Sequence, residues 1–185
     1  SELDNFAILS PISDNPLYPN YRGNSDEIIK NNNKSISNVE EIDGYSMIIN
    51  KDFFEDNIFF DEKFFMYLEN VDLCLRAKKN GGKLYIVMNS KVRHLGAKAV
   101  DDKYSEEIEL SRNWHWMWSK FYFNKKHRGI FVSSFSGLIS LIGNLIKYSI
   151  YFLILNKKRN IYRMRMLGII NALLGRESSY RPEIN

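Results

Sequence analysis

From Leu110 to Arg176 the chain carries no aspartate or glutamate, and no other feature restricts its possible folds as much. Twelve Lys and Arg residues stand in that stretch, so with a formal net charge of +4 the remainder carries −8. Two physically different parts are therefore joined. A basic segment suits nucleic acid or an anionic membrane, and what separates the cations decides between them. Here it is apolar sequence. Ile130 to Leu155 is dominated by Ile, Leu, Phe and Val, with Ser133, Ser136, Ser140, Asn144 and Lys147 at spacings of 3, 4, 4 and 3. On a helix of 3.6 residues per turn those five form one narrow polar stripe.

Three readings of that run stay open. It is a helix or short hairpin lying in a membrane interface, a single span, or a helix packed against its own domain. Basic clusters flank it: Lys125, Lys126 and Arg128 before, Lys157, Lys158 and Arg159 after. Cations beside apolar helical faces fit an anionic membrane surface, and no RNA-binding signature or zinc finger supports nucleic acid as a partner. Ile161 to Leu174 forms a further amphipathic stretch.

The 185 residues are 44% hydrophobic and 26% charged, a globular balance that excludes a disordered chain or a rod. Cys74 is the sole cysteine, which excludes an internal disulfide and suits a reducing compartment. Ser1 to Asn5 lacks the basic and apolar regions of a signal peptide, and the absence of an initiating Met suggests a piece of a longer protein.

Phe6 to Leu9, Tyr45 to Ile49 and Leu84 to Met88 read as strands, and 13–34 as a polar loop punctuated by Pro16, Pro19 and Gly23. Lys51 to Glu55 is long enough for one helical turn. An aromatic, strand-like run, Phe59 to Leu68, precedes a helix over Glu69 to Asn80, which ends in a basic turn and Gly81-Gly82. Val92 to Ala99 leads into a loop, and Tyr104 to Phe123 reads as a long aromatic helix.

Glu69 and Asp72 are the first candidates for chemistry. A carboxylate at a helix start is stabilised as an anion and, at a pocket rim, serves as a general base. Alternatively both simply cap the helix. His94, after the third strand, is either hydrogen-bonded filler or a ligand for a divalent ion or phosphate. His115 and His127 suit bland structural roles. Trp114, Trp118 and Phe121 share one helical face and suit a core, a membrane boundary or stacking on a sugar; spacing does not choose.

Three segments in order carry a resemblance: Asp43-Gly44-Tyr45-Ser46-Met47-Ile48-Ile49-Asn50, then Phe60 through Glu69-Asn70-Val71-Asp72 to Arg76, then Val92-Arg93-His94-Leu95-Gly96. Together they resemble the second half of an inverting family 2 glycosyltransferase of the bacterial rhamnosyltransferase-like branch. The resemblance covers residues 1–125, and more weakly the tail from Tyr162 to Pro182.

It implies an α/β chain: part of a GT-A, Rossmann-like, mainly parallel sheet with flanking helices, followed by amphipathic C-terminal helices. Residues 1–125 would be the acceptor-side part, with Phe6 to Ser13 near the middle of the sheet. Residues 126–185 would be a basic, membrane-associated tail. A nucleotide-binding first half with a D-x-D-like motif would precede Ser1, and the fragment alone would be inactive.

The implied reaction moves a sugar, rhamnose by analogy, from a dTDP- or UDP-sugar to a lipid-linked saccharide or polysaccharide, as in O-antigen synthesis. It would occur at the cytoplasmic face of the bacterial plasma membrane. Relatives often place the base where this chain has Asn70, which cannot accept a proton at neutral pH; Glu69 or Asp72 must then serve. Asp43, Gly44, Asn70 and Trp114 would line the acceptor site. His94 would help hold a divalent ion (Mg or Mn), mostly bound by the missing half, and the donor diphosphate. Relatives often carry Ser at the position of Ala99, and Asp101-Asp102 lies on the wrong side for the D-x-D motif. A non-catalytic saccharide-binding remnant and a peripheral membrane module are the alternatives.

Overall fold

The structure is a computed structural model that describes residues 3–23, 35–55, 58–95 and 102–182. Residues 96–99, Asp101 and the second half of the polar segment, 24–34, lie outside the described residues. The fold is mixed α/β, with six strands and four α-helices among the described residues. Contacts divide it into two compact units: 1–61 with 69–96, and 62–68 with 97–185.

The first unit is built on a four-stranded sheet ordered β3-β6-β1-β5. Strand β1 is Phe6–Ser13, β3 Ile36–Val39, β5 Ile48–Ile49 and β6 Lys83–Val92. β1 lies inside the sheet, parallel to β6 (Leu9 opposite Tyr85) and antiparallel to β5 (Ile8 opposite Ile49). β3 runs antiparallel to β6, with Ile36 opposite Val87. The sheet is therefore mixed and not mainly parallel. A two-stranded ladder, β2 (Tyr21–Arg22) with β4 (Glu41–Ile42), completes the strands. Asn20 is buried and fully used there: its amide donates to Ser10 Oγ and the Pro11 carbonyl, and its oxygen accepts from the Ser13 N–H.

Helix α1, Glu69–Lys79, lays Leu73, Cys74 and Ala77 into the core formed with Ala7, Ile8, Ile42, Leu84 and Ile86. Each large apolar side chain so buried contributes about 1.5–3 kcal/mol. Gly81, at φ +80°, ends the helix with an N–H donated to the Lys78 carbonyl, a left-handed position that suits glycine. A Cβ at Gly82 would meet Ala7 and the Phe53 ring. The expected turn after Asn50 is a 3-10 turn, Lys51–Phe53, whose Asp52 N–H is capped by Asn50.

The second unit holds α2 (Ser105–Arg128), α3 (Ile130–Leu153) and α4 (Arg159–Leu173). Trp114, Trp118, Phe121, Met164 and Ala172 form its core, as the shared face of the aromatic helix implies. α4 crosses α2 so closely that a Cβ on Gly168 would strike the Trp114 carbonyl. The boundary at 125–126 is the span of the resemblance; by contacts α2 groups with the tail helices, its tryptophan face packing with Met164 and Ala172 of α4. Residues 62–68 join them: Phe64 packs edge-on against Tyr122, and Ser119 Oγ donates to the Met66 carbonyl at 2.7 Å.

α3 is one continuous 24-residue helix, so the hairpin reading falls. At about 1.5 Å per residue it is roughly 36 Å long, and it is long and apolar enough to cross a membrane. Its polar stripe faces the protein. Ser133, Gly137 and Asn144 are buried, and Ser136 and Ser140 line a small cleft with Met117 and Phe121 of α2 and Ile169 of α4. The opposite side exposes Phe131 (89%), Phe135, Ile139, Ile142 and Ile146.

Candidate functional site

Residues from each of the three sequence segments that carry the resemblance meet in the first unit. Gly44 lies against Asn70: a Cβ built on it would sit 3.4 Å from the Asn70 Cβ. The Asn70 amide donates to the Ile42 carbonyl at 3.0 Å, which ties the start of α1 to the strand before Asp43. Tyr45, next along, stacks flat on His94, with ring centroids 4.3 Å apart. Residues 43–45, 70 and 94 thus form one neighbourhood, built from a loop, a helix start and the end of β6.

Glu69 is the first residue of α1, partly exposed, with Oε2 buried and lacking a hydrogen-bond partner among the described residues. The Tyr45 hydroxyl is likewise buried and unsatisfied. An orphaned buried polar atom costs about 1–3 kcal/mol, so each of these two atoms is a place where a ligand hydroxyl would be satisfied. The chain enters α1 through Tyr67 and Leu68, both at left-handed φ (+69° and +67°). Such backbone strain costs of order 1–3 kcal/mol per residue and gathers at functional sites.

Asp72 has a different environment. It is fully buried, and Arg76 Nε holds it at 2.9 Å. Arg76 in turn donates to the Ile58 and Phe59 carbonyls. This carboxylate fastens α1 to the preceding loop. Glu41, near Asp43, is raised above the usual carboxylate range by burial, against the pull of Arg22. Burial pushes the Cys74 thiol up to about 11, which keeps it protonated and inert.

Trp114 is 3% exposed in the core of the second unit, stacked on Tyr180 and edge-on to His115. Its ring faces are covered by protein, so it is a packing residue and not an acceptor platform. Trp116, on the other face of α2, is exposed. Lys125, Lys126, Arg128, Lys157 and Lys158 are exposed, and Arg159 is half-buried. They bracket the two ends of α3, as the sequence places them.

His115 is fully buried, which its bland sequence context did not signal. Its Nε2 lies 2.9 Å from the Tyr180 carbonyl, a pure acceptor, so that nitrogen carries the proton. Nδ1 then accepts from Ser178 Oγ at 2.8 Å. Burial holds this imidazole below its ordinary pKa, with Arg181 acting in the same sense. The pair moors the C-terminal segment to α2.

Among the described residues no three His, Cys, Asp or Glu side chains gather closely enough to hold a metal ion. Those residues therefore do not form a metal cage, and His94 has one ring face covered by Tyr45. Comparison of the chain with protein-family models, with curated proteins and with solved structures gives no match.

Proposed function

We propose that the chain is the acceptor-side part of an inverting glycosyltransferase of GT-A type, transferring a sugar from a nucleotide sugar to a hydroxyl of a lipid-linked or polysaccharide acceptor. The observation that carries this reading is the buried, unpartnered Oε2 of Glu69 at the start of α1, next in sequence to the Asn70 that packs on Gly44. Glu69 takes the proton of the acceptor hydroxyl as its oxygen attacks the anomeric carbon. The bond to the diphosphate breaks on the opposite face, and the configuration inverts. Asp72 is committed to Arg76 and Asn70 to the Ile42 carbonyl, which favours Glu69 as the base. His94 contacts the departing diphosphate through its ring edge.

In the complete enzyme, Glu69→Gln should lower kcat about 10³-fold, within the range for loss of a general base, and leave donor affinity within about twofold. Initial-rate kinetics and donor titration check this, and undiminished turnover removes Glu69 from the role. The outward apolar face of α3 and the cations at both of its ends support a second element of the reading. This unit sits on anionic lipid at the inner face of the plasma membrane, with the outward face of α3 in the acyl layer.

A further inference from the structure

The second unit contains a cavity of about 590 Å³, within the range of small-molecule sites. Its walls are the segment 62–65, the Trp118 to Lys125 part of α2, and the chain following α4. Four cations line it: Lys63, Lys125, Arg176 and Arg181. Glu62 and Glu177 are its two carboxylates, so the lining is net positive. Phe65, Trp118 and Tyr122 supply the apolar wall.

Each wall is fixed by contacts of its own. Ser119 holds the Met66 carbonyl, and buried Phe64 packs on Tyr122, which fixes segment 62–68 on α2. The Trp118 indole N–H donates to the Arg176 carbonyl at 2.9 Å. His115 binds Ser178 and the Tyr180 carbonyl. The Arg181 guanidinium lies 3.5 Å over the Phe65 ring, and its Nη1 donates to the Ser178 and Tyr180 carbonyls. Arginines so pre-ordered lose little entropy on gripping an oxyanion. The side chains of Lys125 and Arg176 form no ion pair among the described residues.

We propose that this cavity binds the phosphate or diphosphate group of an organic phosphate, with Lys125, Arg176 and Arg181 on its oxygens and the attached organic body against Phe65 and Trp118. The chemistry follows from the lining. A tetrahedral polyanion is the ligand that several converging Arg and Lys donors match, and the aromatic wall favours an ester over a bare ion. The group belongs either to a lipid headgroup or to a soluble phosphate compound. The proposal does not rest on the transferase reading, because binding is measured without transfer and Glu69 is no part of this cavity.

The test is calorimetric titration of the full chain in detergent with inorganic pyrophosphate and with dodecyl phosphate. Intrinsic tryptophan fluorescence is a second readout. Saturable binding is expected, weakened about tenfold or more in Lys125→Ala/Arg176→Ala, a variant that leaves the buried contacts in place. Lys51→Ala/Lys78→Ala/Lys83→Ala, which removes exposed charge from the first unit, should bind within about twofold of wild type. Tighter binding of dodecyl phosphate supports a lipid source, and equal binding supports a soluble one. The proposal is overturned if neither probe saturates, if the Lys125/Arg176 variant binds as wild type, or if the distant triple variant loses as much.

Discussion

The two units solve the hydrophobic problem in opposite directions. In the first, the sheet and α1 turn Ile8, Leu73, Leu84 and Ile86 inward, and the fully buried Asp72 carboxylate is held by Arg76. In the second, α3 turns Ser133, Gly137 and Asn144 inward and leaves phenylalanine, leucine and isoleucine outside. Small residues let helices approach closely, as at Gly137, where a Cβ would lie only 3.0 Å from the Phe121 ring, a device that works where association cannot rely on expelling water. The contrast teaches that amphipathicity alone does not say which face is inside. The first unit turns its large apolar side chains inward, whereas α3 leaves a continuous apolar face outside, and exposed apolar faces of this kind mark interaction surfaces.

The largest expected effect breaks the first half of that contrast. Arg76→Ala removes the guanidinium that holds the buried Asp72 carboxylate at 2.9 Å, and breaking a buried charge pair costs about 3–5 kcal/mol. Hydrogen exchange should show β1 and β6 losing protection. All three tryptophans, 114, 116 and 118, lie in α2, so their fluorescence reports the second unit separately. If that transition shifts equally, the units unfold as one and the contrast is one of composition rather than of independent stability.

The next effect sharpens the second half. Ile139 is exposed on α3. If that face sits in lipid, Ile139→Asp should weaken binding to phosphatidylglycerol vesicles by about 3 kcal/mol, roughly 100-fold, the insertion cost of a carboxylate at a helix centre. In buffer its stability should change by less than about 0.5 kcal/mol, as for a surface position. Vesicle flotation and thermal melts read the two quantities. Unchanged vesicle binding would leave the inverted face of α3 without a lipid.

Much of this was legible from the residues, and the failures share a cause. Helix α1 and its Gly81 stop follow local signals, and so does the 114–118–121 face of α2. β3 and β4 went unread because Ile36–Val39 and Glu41–Ile42 are short and polar; their partners, β6 and β2, define them. The aromatic run 59–68 looks like a strand by propensity, yet Tyr67 and Leu68 take left-handed backbone, a tertiary override no local rule contains. Tyr45 to Ile49 pairs only at Ile48–Ile49. At the candidate site, Glu69, Asn70, Asp43 and Gly44 could be found by motif. The commitment of Asp72 to Arg76 and the burial of Trp114 depend on packing across the chain.

The smallest effect concerns His115, a buried titratable group in the unit that otherwise turns its apolar side outward. Burial lowers its pKa below the ordinary 6.5, the Tyr180 hydrogen bond opposes this, and Arg181 adds to it. A depressed pKa means that the unfolded chain takes up the proton first. The stability this imidazole contributes is therefore complete above about pH 6.5, and it is lost as the pH falls through the depressed value. Protonation also obliges Nδ1 to donate, so Ser178 must reverse its hydrogen bond. The tryptophan-detected melting temperature should fall between about pH 7.5 and pH 5, and His115→Gln, which cannot titrate, should flatten that dependence while lowering stability at pH 7.5. An equal slope in the variant would assign the acid lability to other groups and leave His115 a mooring point without a pH signature.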